Sequence, residues 1–261
     1  GSRSWSIRTN RDPFPVCSRM RYDETQENMR RDTHTTVVMD RWRAMASNRV
    51  IFLVQFASYF VLYLPLRVFF RSHRLLSGNI RQLDRGALLI ANHQSIADPF
   101  IVMGNLPFSV FIRLLPVRFP TDHEYMSAPI TGSILRFFGC YDVGATPRLR
   151  MCTLLKTCDL LRSGETVFLF PEGSIARSEM KEFNRGIEFF IRESRSVVFV
   201  RMDGFNEPIA DHIIETKRTL SYGEVRSADD IEHDARSLRE SFDFLTGHTE
   251  RVGWQPSRQE A

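Results

Sequence analysis

The feature that most constrains this chain is a five-residue apolar run, Ala87-Leu88-Leu89-Ile90-Ala91, that stops abruptly at Asn92 and His93. The run is too short for a helix and shows no polar alternation, so it reads as a strand buried on both faces. Such strands belong to parallel sheets covered by helices. The pattern recurs at Thr166–Phe170, which runs into Pro171-Glu172-Gly173-Ser174, and at 197–202. Further strands are predicted near Val110 to Leu114, at Cys140–Val143 and at Thr219–Val225. Helical patterns alternate with them: one from Pro99, one over Pro129–Phe138 stopped by Gly139, one over 147–162 with Gly164 beyond it, and one over 184–193. This alternation predicts an α/β fold with a mainly parallel central sheet flanked by helices.

In such sheets ligands gather beyond the carboxyl ends of the strands. His93, Glu172 and Arg201 fall at or just past predicted strand ends, which places them in one expected cleft. Five residues after His93 comes Asp98, followed by Pro99. An imidazole with a nearby carboxylate is a general base with its orienting group. Asp98 at an N-cap with Pro99 at N1 is equally a favoured helix start, leaving His93 an ordinary loop residue. The spacing does not choose between them, because His-x-x-x-x-Asp arises by chance in roughly one chain in two or three of this size.

Composition narrows the classes. The apolar fraction is 43%, ordinary for a globular protein, so disorder throughout is excluded. Net charge is +4, and residues 1–49 carry ten arginines against six acids, a surplus equal to the net charge of the whole chain. A basic leader suits either an anionic surface or plain solvation. No zinc-finger spacing, RNP-like motif or basic helix-turn-helix pattern supports nucleic-acid binding. Cys17, Cys140, Cys152 and Cys158 form no C-x-x-C pair, and no His/Cys cluster has metal-ligand spacing. They read as reduced thiols of an intracellular protein. There is no P-loop, G-x-G-x-x-G or G-x-S-x-G.

Four segments are expected: a basic polar leader (1–48), a membrane-associated helix (49–76), an α/β domain (77–225), and an amphipathic helix with tail (226–261). Val50 to Leu64 is apolar except for Gln55 and Ser58, and arginines flank it on both sides. It is short for a spanning helix, which needs about 17 to 25 residues. Basic flanks suit a helix lying in the headgroup region; a buried core helix is the competing reading. The run begins too late for a signal peptide.

Asn92-His93-x-x-x-x-Asp98-Pro99, followed about eighty residues later by Phe170-Pro171-Glu172-Gly173-Ser174, is a rare combination. It resembles the glycerolipid acyltransferase family, whose best-known members are the 1-acylglycerol-3-phosphate acyltransferases. Ile134-Leu135-Arg136-Phe137-Phe138-Gly139 and Val197-Val198-Phe199-Val200 agree in order and spacing, so the resemblance covers roughly Asn79 to Val225. It implies a membrane-associated enzyme that moves a fatty acyl group from acyl-CoA or acyl-carrier protein to a lysophospholipid, 1-acylglycerol-3-phosphate first. Its active site would face the cytoplasm, and no metal or organic cofactor is implied. His93 inherits the role of base and Asp98 that of its orienting acid. Asn92, Glu172, Gly173 and Ser174 inherit substrate binding.

One position departs. Where family members using a glycerol-phosphate acceptor carry an arginine, six residues after Gly139, this chain has Ala145. The segment Pro116 to His123 departs as well. The arginines nearest position 145 are Arg148 and Arg150; Arg148, and Arg177 three residues after Ser174, are the candidates for a phosphate, with solvation the alternative for each. The departure opens a rival acceptor, such as a different lysophospholipid or an amino-acid lipid; a rival of another class, a non-catalytic lipid-binding protein on the same fold, is opposed by the intact Asn92, His93, Asp98, Glu172 and Gly173.

Overall fold

The computed structural model describes residues 47–70, 73–175, 186–205 and 218–231. A single helical stretch opens it: α1 (Asn48–Ser58) passes through a π-helical turn (Tyr59–Tyr63) into α2 (Leu64–Phe70). There follow β1 (His73–Leu76), β2 (Ala87–Ala91), α3 (Asp98–Asn105), α4 (Phe108–Leu114) and β3 (Val117–Thr121). Then come α5 (His123–Ser127), α6 (Pro129–Phe137), β4 (Cys140–Asp142), α7 (Pro147–Arg162) and β5 (Thr166–Leu169). The last elements are α8 (Ile187–Glu193), β6 (Ser196–Asp203), β7 (Thr219–Tyr222) and β8 (Arg226–Ser227).

The strands form one mixed sheet in the order β1-β7-β6-β2-β5-β3-β4, with β8 also on β6. β2 lies parallel to both neighbours, with Ile90 opposite Leu169 of β5 and Phe199 of β6. The antiparallel pairs are β6 with β7 and β6 with β8. All five residues of β2 are completely buried, as an uninterrupted apolar run at the centre of a covered sheet requires.

Two expectations change. The strand predicted near Val110 to Leu114 is helix α4. Its buried residues, Val110, Phe111 and Leu114, are spaced for one helical face, and the strand begins only after Pro116. β3 was hidden because buried Arg118 interrupts it; that guanidinium pairs with Glu165 at 2.6 Å and meets the Asn48 side chain. His73–Leu76, placed in the helical segment ahead of the domain, is instead a strand paired with β7, so the domain's sheet begins before Ser77.

The N-terminal helix is docked onto the domain along one face. Ile51, Gln55, Tyr59 and Tyr63 are buried at intervals of four. In an α-helix that interval would rotate the stripe; the wider i→i+5 turn at Tyr59–Tyr63 turns it back. The Gln55 amide donates to the carbonyls of Val117 and Phe138, both at 2.7 Å, and accepts the Val117 N–H at 2.9 Å. Tyr59 and Tyr63 pack against Phe111, and Tyr63 against Phe100 of α3. At Gly104 the helices come so close that a Cβ would lie 2.8 Å from the Tyr63 carbonyl oxygen. The outer face of the same helix exposes Leu53, Phe60, Val61 and Val68. Among the described residues no helix is long and apolar enough to cross a membrane. The amphipathic helix expected within 226–261, over Asp229 to Leu245, lies almost entirely outside the described residues.

Candidate active site

β2 ends at Ala91, and the next two residues divide the work. Asn92 faces inward: its Nδ2 donates to the Met202 carbonyl at 2.8 Å and its Oδ1 accepts the Met202 N–H at 2.7 Å. This amide stitches the end of β2 to β6 across a gap of 110 residues. In this structure Asn92, assigned to substrate by resemblance, anchors the loop that carries the base.

His93 leaves the sheet with its ring stacked on Phe170, centroids 3.9 Å apart and planes 10° from parallel. Its Nδ1 lies 3.0 Å from Asp98 Oδ2. Asp98 is fully buried, while the imidazole keeps 19% exposure. The alternative role for Asp98, a helix N-cap, is not what the fold uses. Asp98 is the first residue of α3, whose N-cap is Ala97, and the Asp98 carboxylate bonds to His93, Gln94 and Ser95 ahead of the helix. It turns back, accepting the N–H groups of Gln94 (2.6 Å) and Ser95 (2.8 Å) on Oδ2 and the Ser95 hydroxyl (2.6 Å) on Oδ1. A buried carboxylate with that many donors is compensated for its lost hydration. With Nδ1 engaged by a carboxylate, which can only accept, the proton sits there and Nε2 is left with the free lone pair.

The second motif reaches the same place from β5. Phe170 forms the floor under the ring, and the turn after it closes with the Gly173 N–H on the Phe170 carbonyl at 3.1 Å. Gly173 has φ +67°, a left-handed conformation that glycine adopts without strain. Buried Glu172 accepts the backbone N–H of His93 at 3.0 Å, and Ser174 is exposed beside it. Sequence reading missed this bond because nothing in a pattern couples residues 79 apart.

Gly139 sits where resemblance puts it, for a physical reason. Its φ is +86°, and a Cβ there would lie 2.4 Å from the Val117 carbonyl oxygen. Beyond β4, Ala145 and Arg148 are exposed, with Arg148 in the first turn of α7. Arg201 pairs with Asp203 at 3.1 Å. Arg177 lies outside the described residues. Among the described residues no cluster of His, Cys, Asp and Glu could hold a metal ion.

An imidazole–carboxylate pair at the end of one strand thus stands beside a Pro-Glu-Gly turn at the end of its neighbour. Residues 74–202 match the family model described as Acyltransferase, and that segment belongs to the glycerolipid acyltransferase family. Among solved structures, the chain is similar to the 1-acyl-sn-glycerophosphate (LPA) acyltransferase PlsC from Thermotoga maritima. The TM-score is 0.52 at 17% identity, covering 85% of this chain and 90% of that one. At that identity the likeness establishes the fold. Comparison with curated proteins found no match.

Proposed function

We propose that this acyltransferase moves a fatty acyl group from acyl-CoA or acyl-carrier protein to the hydroxyl of a lysophospholipid. The observation that carries the reading is the His93–Asp98 pair, held at 3.0 Å with the carboxylate buried and the imidazole 19% exposed. His93 Nε2 takes the proton of the acceptor hydroxyl as its oxygen attacks the thioester carbonyl. The tetrahedral intermediate collapses, the C–S bond breaks, and the imidazolium returns the proton to the leaving thiolate. Asp98 stabilises the imidazolium and keeps the ring in register.

The resemblance and the fold neighbour put 1-acylglycerol-3-phosphate first among acceptors, with phosphatidic acid the product. Glu172, Gly173 and Ser174 border the base, and Arg148 and Arg177 are the candidate phosphate cations. Alanine at position 145 supports a second reading, the same chemistry on another lysophospholipid. The exposed apolar face of α1 and α2 supports work at a membrane surface, and the resemblance alone puts the site toward the cytoplasm. Incubating the purified chain with labelled acyl-CoA and a panel of lysolipids tests the reading. Labelled diacyl product supports it, and free fatty acid alone would replace it with thioester hydrolysis.

A further inference from the structure

A second imidazole–carboxylate pair stands on the same edge of the sheet. His123, the first residue of α5, meets Asp142, the last residue of β4, through Nδ1 and Oδ2 at 2.8 Å. The other carboxylate oxygen accepts the Gly144 N–H at 2.6 Å, and the Asp142 carbonyl accepts the Thr153 hydroxyl at 3.0 Å. Asp142 is thus fixed from both its ends. The two side chains are about a third exposed, 36% and 30%, and an ion pair so open to water adds little to stability. Stability alone leaves the pair unexplained.

Register locates the pair relative to His93. Ile90 stands opposite Leu169 and Arg118 opposite Val167; carried two residues past that last β3–β5 pair, the same register brings Pro120 level with Leu169. His93 and His123 each lie three residues beyond that common level. Two interstrand steps separate their strands, so the two loops leave the sheet on the order of 10 Å apart. The carboxylate at Nδ1 holds the proton there, which leaves Nε2 of His123 as a hydrogen-bond acceptor. An acceptor nitrogen suits a hydroxyl.

We propose that His123, positioned by Asp142, binds a hydroxyl on the head group of the acyl acceptor. The cleft then fits a lysophospholipid whose phosphate is esterified to a polyol such as glycerol. This rests on the lysophospholipid reading above and names its head group. From the acylated oxygen to such a head-group hydroxyl is eight bonds, on the order of 10 Å when extended. A bare phosphate ends well short of that span. The loop after Asp142 carries exposed Ala145, whose small side chain leaves this end of the edge open.

The test compares lysophosphatidylglycerol with lysophosphatidylmethanol, a diester of the same charge whose methyl head group carries no hydroxyl, using the full chain in detergent micelles with acyl-CoA. The expected result is a kcat/KM about ten-fold higher for lysophosphatidylglycerol, the scale of one hydrogen bond. His123→Ala should abolish that advantage through the KM for lysophosphatidylglycerol, leaving lysophosphatidylmethanol and acyl-CoA kinetics unchanged. His123→Gln, which keeps a polar atom near the Nε2 position, should retain part of it. Equal efficiencies in the unmodified chain, or equal losses on both diesters in His123→Ala, would overturn the head-group assignment alone. Transfer to no lysolipid at all would overturn the proposed function along with it.

Discussion

The carboxylate of Glu172 accepts the backbone N–H of His93 at 3.0 Å, so the two signature motifs are joined by a direct hydrogen bond. Phe170, two residues earlier, stacks under the His93 ring. One strand end therefore supplies both the floor of the imidazole and the acceptor that pins its backbone, while Asp98 fixes the ring from α3.

Glu172→Ala should accordingly damage the base rather than acceptor affinity alone. Leaving a buried N–H unsatisfied costs roughly 1–3 kcal/mol. The melting temperature and kcat should both fall in Glu172→Ala, and Glu172→Gln, which keeps an acceptor oxygen, should recover much of the stability. An effect confined to acceptor KM would show that the carboxylate serves the substrate instead.

His93→Ala should lower turnover by about 10²–10⁴-fold, the usual range for removing a general base. The fold should persist, because the ring keeps 19% exposure and fills no closed core position. Asp98→Asn should lose both activity and stability, since an amide presents a donor to at least one of the groups that now donate to the carboxylate. Turnover near the unmodified level in His93→Ala would remove the dyad from the mechanism.

Membrane association should respond to the outer face of the N-terminal helix and not to its deletion. Removing residues 1–70 would strip Ile51, Gln55, Tyr59 and Tyr63 from the core, and the expected outcome is insoluble protein. The pair Leu53→Glu and Val61→Glu, at positions 63% and 79% exposed, should instead shift folded protein from the membrane pellet to the supernatant. Vesicle sedimentation measures this, with circular dichroism confirming the fold. Unchanged pelleting would place the lipid contact elsewhere.

Stability should decline on the alkaline side. Burial pushes the Cys140 thiol up to about 11 and Cys158 up to about 12, and holds the Tyr63, Tyr141 and Tyr222 phenols well above their usual range. In the unfolded chain these groups ionise near 9 and 10, so above that range unfolding releases protons that the native state retains. Their contribution is complete below pH 8 and is lost progressively from about pH 9 upward, by roughly 1.4 kcal/mol per unit of separation for each group. Urea midpoints taken at pH 8, 9.5 and 10.5 should fall in that order. A flat series would show that these groups titrate freely in the native state.

Elements whose signal is local were legible in the order of the residues. Short apolar or β-branched runs located β2, β5 and β6, and Gly164 marked the stop of α7 at Pro147–Arg162. Residue type and order also marked His93, Asp98 and Glu172. Tertiary structure decided what those side chains touch. Asp98 turned from a helix cap into the hub of the His93 loop, and Asn92 became an anchor to β6. Gln55, a polar interruption in an apolar run, proved to be the group that satisfies Val117 and Phe138 and holds the helix to the domain. Helix α4 was mistaken for a strand because a short apolar run carries no decisive period, and β1 exists only because β7 pairs with it. The His123–Asp142 pair was invisible for the same reason. Hydrogen-bond partners are assigned by sheet order and register, which bring together residues that a linear pattern keeps apart.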